Sequence, residues 1–403
     1  MTLSLDLLAK VILADCRRMR EVVEGSIDLV VTSPPYWQIK DYGHDLQIGC
    51  NQSFHDYLKD LFLVWCECYR VMKPGSRLCV NVGDQFLRAF IYGRYRVAPI
   101  HAEIITQCEK IGFDYLGSII WQKKTNTNPT GGEQVMGSFP YPTNGIVKID
   151  YEFVLIFKKI GTKTVPPESL RASVLKREEW DTFFSGHWTF PGQSQTIHGA
   201  VFPEELPKRL VKMFSCVGDL ILDPFLGSGT TAKAAIGLNR NFVGYELNPS
   251  FASLIKSKVE SRNDQSVDLV FSERHLNLDI IHDPSYVPGI KDAMAVVQPS
   301  KLRFGRKNTY RVVEVVSADT LVLDTGLVAK FAGIEVIPGR VEEAKKFLES
   351  EVKGNYVVIV FDQDKLVGGN PATAKIYCED TLLNEEMVAK GFCRKRDTLI
   401  TRP

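Results

Sequence analysis

The chain has 403 residues, of which 44% are apolar and 24% charged, with a net charge of +1. That length suggests two or three domains, and those proportions are the ones found in soluble globular proteins. No apolar run reaches bilayer length and Met1 to Ala14 carries no basic leader, so a membrane span is excluded and the cytoplasm expected. The near-zero charge decides little about nucleic acid, because a basic surface on one side can be cancelled by the other.

Val11 to Leu13 and Leu29 to Val31 read as short buried strands, the first followed by Asp15. Ser53 with Asp56 three residues on is an N-cap signal. Tyr57, Leu58, Leu61, Phe62, Trp65 and Cys68 then recur at helical spacing until Pro74-Gly75 ends the helix. Strands are predicted at Arg77–Val82, Tyr115–Trp121 and Tyr151–Phe157, with a helix over about Pro99–Ile111. Strands alternating with helices argue for a parallel sheet covered on both faces. From Lys158 to Gly192 the periodicity fades into charges and aromatics. It returns with a helix near Pro207, a strand Leu220–Leu222, a helix from Thr230 to Gly237, a strand Phe242–Tyr245 and a helix to Glu260. Residues 263–307 read as a linker. Beyond them strands are predicted at Val312–Val322 and Leu327–Ile334. A helix follows over Val341–Val352, with Val341, Ala344, Phe347 and Leu348 inward, then a short helix from Asn384 to Lys390 closed by Gly391. Of the nine cysteines, Cys66 and Cys68 fall on different faces of a helix, so the thiols are expected reduced and buried and no metal site is expected.

Two strand-to-loop junctions carry the chemistry. Ser33-Pro34-Pro35-Tyr36 follows the strand ending at Val31; its prolines stiffen the turn and remove amide donors, leaving carbonyl acceptors beside an aromatic plate. A planar, amino-bearing base needs that pairing, although a plain strand-ending turn would also account for Pro-Pro-Tyr alone. Asp223-Pro224-Phe225-Leu226-Gly227-Ser228-Gly229-Thr230 joins another strand to a helix, with glycines that let the backbone approach a ligand. It lacks the lysine of a phosphate loop and the third glycine of the dinucleotide pattern. Glu246 ends the next strand, where a carboxylate can accept both hydroxyls of a ribose. An adenosine-bearing cofactor fits.

With these motifs in this order, residues 8–262 resemble the beta-class S-adenosylmethionine-dependent DNA amino-methyltransferases. Arg70 to Gly75, Asn81 to Asp84, Ile119 to Trp121 and Phe202 to Leu206 extend the likeness. The resemblance implies a doubly wound α/β sheet with helices on both faces in a domain spanning 1–262. It implies S-adenosyl-L-methionine as cofactor and duplex DNA as partner, with room for a companion restriction endonuclease. Ser33, Pro34, Pro35 and Tyr36 would be catalytic. Asp15 would lie near the adenine amine, Asp223, Phe225, Gly227, Gly229 and Thr230 along the cofactor loop, and Glu246 on the ribose; His198 to Leu206 would close the methionine end, although Gly199 interrupts the usual pattern.

Ser33 and the Pro34 carbonyl would draw on both hydrogens of an exocyclic amine, turning its lone pair toward the sulfonium methyl, while Tyr36 stacks on the extruded base. Ring-carbon methylation needs a cysteine after the prolines, and none is there. In enzymes similar to this one, serine at that position goes mostly with cytosine N4 and acid or amide with adenine N6, so cytosine is favoured and adenine stays open. Residues 159–192 sit where the family's target-recognition region falls, and the loop from Lys123 to Pro142 is a second candidate for DNA contact.

Residues 308–403 resemble thermonuclease-like domains, small β-barrels of the oligonucleotide-binding kind, through Val315 to Leu321, Lys330 to Glu335, Glu343-Ala344 and Leu383 to Glu386. Asp319 is retained. Ser317 replaces a carboxylate, Lys330 an arginine, Glu335 an aspartate and Pro338 a glutamate, and the second arginine falls near Asn370 or Pro371. So few oxygen ligands suit calcium poorly, and a non-catalytic barrel that binds DNA or protein is expected, with a fused methyltransferase and nuclease, or a nucleic-acid-binding protein whose methyltransferase half is inactive, as the other readings.

Overall fold

The computed structural model describes residues 7–38, 42–87, 92, 94–123, 143, 145–192, 202–260, 269–274, 285–294, 309–324, 326–361, 372–378 and 381–396. In chain order, β1 (Ala9–Leu13) and β2 (Ile27–Thr32) lead to α1 (Phe54–Val71) and β3 (Met72–Val82). A hairpin of β4 (Gln85–Leu87) and β5 (Arg96–Ala98), then α2 (Ile100–Ile111), β6 (Phe113–Lys123) and β7 (Tyr151–Lys159) follow. Next come α3 (Pro167–Ala172), α4 (Arg177–Phe183), β8 (His187–Phe190), α5 (Glu205–Phe214) and β9 (Leu220–Asp223). After them, α6 (Thr230–Ile236), β10 (Asn241–Glu246), α7 (Ala252–Glu260) and β11 (Leu269–Glu273) complete the unit.

These strands form one sheet in the order β11-β1-β10-β9-β2-β3-β7-β6-β8. Strand β2 shows why both faces are covered: Ile27 and Val30 join the core beneath α1 and α2, while Leu29 and Val31 join the core beneath α5, α6 and α7. In α1, Ser53 caps the first turn by accepting the Asp56 amide at 3.1 Å, as the sequence predicts. That cap contributes about 1 kcal/mol. Burying Leu58, Leu61, Val64 and Trp65 contributes about 1.5–3 kcal/mol each, so packing rather than capping holds the helix.

Three expectations are corrected. The sheet is mixed, not parallel: β7 runs antiparallel to both β3 and β6. Pro74-Gly75 does not end α1; the helix stops at Val71, and β3 starts at Met72 and runs through that pair. The stretch read as a linker contains β11, which pairs with β1, and residues 285–294 pack on α1 and α2. There Tyr286 stacks on Phe62 with ring centroids 4.3 Å apart, and the Gly289 amide donates to Glu103 Oε1 at 2.9 Å. The segment read as target-recognition, residues 159–192, begins where antiparallel β7 delivers it, at the amino edge of the parallel strands. Lys163 Nζ meets Asp219 at 2.6 Å and Asp28 at 2.9 Å, and Ser173 Oγ accepts the Val217 amide at 2.8 Å. Only β8 returns, parallel to β6, to the opposite edge.

The C-terminal region is a closed five-stranded β-barrel. Strands β12 (Thr309–Ser317), β13 (Thr320–Leu323) and β14 (Val328–Phe331) are followed by β15 (Ile334–Val336), α8 (Val341–Val352), β16 (Tyr356–Phe361) and β17 (Ala372–Cys378). Pairing of β14 with β17 closes the ring. Short β18 (Thr381–Leu382), α9 (Leu383–Ala389) and β19 (Cys393–Lys395) finish the chain, with Gly391 in the left-handed region at φ +72° after the last helix. In α8, Ala344 and Leu348 are buried as expected, but Val341 is exposed.

Candidate active site

The crossover from β2 through α1 leads to β3, on one side, whereas that from β9 through α6 leads to β10, on the other; the crevice opens between the carboxyl ends of β2 and β9. A cavity of about 930 Å³, including its open mouth, lies there. Both motifs reach it. Ser33, Pro34, Pro35 and Tyr36 line it from the β2 loop, Phe225, Gly227 and Thr230 from the β9 loop, Asp15 from the end of β1 and Glu246 from the end of β10.

The two loops are joined by Asp223, whose buried carboxylate accepts Thr32 Oγ1 at 2.6 Å, Thr231 Oγ1 at 2.6 Å and the Phe225 amide at 3.0 Å. Those bonds take up both of its oxygens. Burial pushes its pKa up to about 6. Asp223 and Gly229 stand behind the cavity wall rather than on it. At Gly229 φ is +85° and a Cβ would come within 3.2 Å of Ile255 Cγ2, so glycine there serves the turn and the packing of α7; Gly227, at φ +55°, faces the cavity.

Glu246 accepts the Gly227 amide and the Asn248 amide, each at 2.8 Å, with no cation against it among the described residues, and burial lifts its pKa to about 7. Asp15 differs. Its carboxylate is held by Arg17 at 2.5 Å, and the same guanidinium reaches Asp60 at 2.5 Å and the Leu46 carbonyl at 3.1 Å. Asp60 in turn accepts Gln52 Nε2 at 2.7 Å, and the Gln52 carbonyl accepts the indole N–H of Trp37 at 3.0 Å. A chain of bonds therefore runs from the adenine-side acid predicted from the sequence to the residue after Tyr36.

In the diproline loop, Trp37 is buried against Phe54, Tyr57 and Tyr92 and anchors the turn in the core. Tyr57 donates to the Pro35 carbonyl at 3.0 Å. Neither the Ser33 hydroxyl nor the Pro34 carbonyl has a partner among the described residues. Tyr36 donates its phenol to Glu152 Oε1 at 2.9 Å; the charge on Glu152, then burial, drive the phenol pKa upward.

Glu152, grouped with Asn81 and Lys123 behind Tyr36, was not singled out from the sequence, where Asn81 and Lys123 figured only as ends of longer segments; nor were Leu46, Gln47 and Ile48 on the cavity wall. One signal was present: Glu152 is a lone acid in the apolar run Tyr151 to Phe157. Phe202 lines the cavity, whereas His198 to Val201 lie outside the described residues, as does most of the loop from Lys123 to Pro142.

With both loops around one cavity, the comparison with known proteins is direct. A family model described as DNA methylase matches residues 27–257, more than half of the chain. The chain belongs to the N6/N4 DNA methylase family. Among its relatives, the type II methyltransferase M.MjaI of Methanocaldococcus jannaschii is 40% identical over 280 residues, covering 62% of this chain and 90% of that protein. The type II methyltransferase M.MthZI of Methanothermobacter thermautotrophicus is 32% identical over 325 residues, covering 73% and 90%. A putative DNA modification methylase of Thermus thermophilus, solved in complex with S-adenosyl-L-methionine, superposes with a TM-score of 0.54 at 35% identity, over 66% of this chain and all of that one. The family match ends before the barrel begins. Among the described residues no helix is long and apolar enough to cross a membrane.

Proposed function

We propose that this DNA methyltransferase moves a methyl group from S-adenosyl-L-methionine to the exocyclic N4 amine of a cytosine swung out of duplex DNA. The observation that carries the reading is the convergence of Ser33 to Tyr36 and Phe225 to Thr230 on one cavity. The cavity is open at its mouth and mostly apolar in its lining, with acidic side chains at Asp15 and Glu246, as ligand clefts are. Phe225, Gly227 and Thr230 would hold the methionine end, Glu246 the ribose hydroxyls and Asp15 the adenine side. When bound, the cofactor supplies an electrophilic methyl on a cationic sulfur.

The protein's own contribution is positional. An amine conjugated with its ring is a poor nucleophile. The Ser33 hydroxyl and Pro34 carbonyl, without partners among the described residues, are the acceptors to which its two hydrogens would bond, turning the lone pair out of the ring plane. The diproline backbone cannot relax away from that geometry, because Trp37 and Tyr57 hold it from behind. Tyr36 supplies the stacking face, and the proton leaves after the methyl has arrived. Ser33 in place of an acid or amide favours cytosine; adenine N6 is the second reading, since a hydroxyl can also accept from adenine's amine. The companion restriction endonuclease belongs with this proposal.

For the barrel we propose a thermonuclease-like fold without nuclease activity. Asp319 faces Lys330 at 3.2 Å and accepts Ser317 and Thr320 hydroxyls, each at 2.9 Å, while Glu335 pairs with Arg394 at 3.0 Å, so the acids of the matching positions are engaged within the protein. One assay tests both domains. Incubation with labelled cofactor and duplex DNA, followed by mass analysis of the nucleosides, is expected to yield N4-methylcytosine and no strand cutting in calcium. N6-methyladenine would transfer the specificity to adenine, and absence of label in DNA would overturn the reading.

A further inference from the structure

We propose that Glu152 is a positioning residue for methyl transfer: it clamps the Tyr36 phenol and thereby sets the plane on which the extruded base stacks. The proposal rests on the methyl-transfer reading above and deepens it. Glu152 begins the buried part of β7 and has its carboxylate almost wholly out of solvent. Its three donors come from separate parts of the sheet: Tyr36 after β2 at 2.9 Å, Asn81 in β3 at 2.6 Å, and the Lys123 ammonium at the end of β6. Space for it is kept by Gly83, where a Cβ would stand 3.2 Å from Glu152 Cγ.

A role in stability alone does not explain this arrangement. A buried ion pair is roughly neutral or unfavourable relative to apolar side chains of the same volume, because desolvation offsets the attraction. The neighbouring positions of β7, Val154, Leu155 and Phe157, are filled that way. What an apolar residue cannot do is hold a phenol by its oxygen. Tyr36 is flanked by anchored neighbours, the Pro35 carbonyl on Tyr57 and Trp37 on Gln52, and is held at the far end of its ring by Glu152, which restrains the tilt of the ring. Lys123 neutralises the clamp at the place where the chain leaves the sheet.

Wild-type enzyme, Glu152→Gln, Tyr36→Phe and the double variant are compared for kcat, for KM toward DNA, for cofactor Kd by calorimetry, and for the fluorescence lifetimes of 2-aminopurine placed at the methylated position. Each single variant is expected to lose about tenfold in kcat, as when one oriented hydrogen bond is removed, with cofactor Kd within about twofold. The double variant should lose no more than either single one, because both break the same link. Lifetimes should broaden in all three. Losses that multiply, or full kcat in Tyr36→Phe, would overturn the clamp while leaving the transferase reading intact. A wild-type enzyme that methylates nothing would remove both. Should Glu152→Gln fail to fold, Tyr36→Phe decides alone through kcat and the lifetimes.

Discussion

At the amino edge of the sheet, buried Asp28 faces Lys73 at 2.8 Å and Lys163 at 2.9 Å; at the carboxyl edge, Asp223 and Glu246 accept bonds from hydroxyls and amides. The same burial then has opposite results. Desolvation works to raise the pKa of Asp28, but the Leu220 amide and the two lysines outweigh it and leave the group below its ordinary value. Asp223 and Glu246 have hydrogen bonds but no cations among the described residues, and burial pushes them up to about 6 and about 7. An acid that only holds strands together is neutralised by its neighbours. Glu246, on the cavity wall, is held for a ligand at a cost in stability, whereas Asp223, behind the wall, uses both oxygens to tie the two loops together. Asp15, on the cavity yet gripped by Arg17, lies between the two cases.

The largest effect expected from this contrast is at the diproline loop. Ser33→Ala and Tyr36→Ala should each lower kcat by about a hundredfold or more, with cofactor affinity kept, as for removal of an oriented transition-state partner. Single-turnover methylation together with calorimetry reads this. Joint loss of turnover and cofactor binding would indicate misfolding. At the other edge, Asp28→Asn leaves two lysines facing each other and should lower unfolding free energy by about 3 kcal/mol while leaving the cofactor Kd alone; urea melts check it.

A smaller effect concerns pH. In the window from the ordinary carboxylate value of 4.5 to about 7, the folded ligand-free protein holds a proton at Glu246 that the unfolded chain has lost, so its stability falls as pH rises through that window. Glu246→Gln should flatten that fall. Part of the remaining slope belongs to Asp223, raised from 3.8 to about 6, and part to Asp60, which burial also raises. Cofactor affinity should move the other way, tightening as Glu246 ionises, and a Kd flat across neutrality would contradict its place on the ribose. The smallest effect is expected at Trp180, exposed on α4. With that helix carried on the amino-edge segment, Trp180→Ala should change KM for DNA by less than about twofold, as surface substitutions away from a site do; a large rise would support target recognition by residues 159–192.

Particular residues show how much was legible beforehand. Ser53, the α1 repeat and the strand cores at Leu29–Val31 and Leu220–Leu222 were readable because a helix or strand writes its period into neighbouring side chains. Pro74-Gly75 misled because a left-handed Gly75, at φ +83°, fits a strand start as well as a helix end. The linker reading of 263–307 failed at β11, five residues whose pairing partner β1 lies at the far end of the domain sequence. Glu152 went unnoticed because a single acid in an apolar run has no period, and its meaning lies in Tyr36, Asn81 and Lys123.

By itself the sequence determined the two motifs, the elements that carry them and the α/β class, since each depends on side chains a few positions apart. The tertiary structure alone decided that β7 runs against its neighbours, that residues from Lys163 to Ser173 meet the starts of β2 and β9, and that Asp223 ties the two loops together. Strand direction, sheet edge and the partner of a buried acid are set by pairing between distant segments, and such pairing leaves no local signature in the chain.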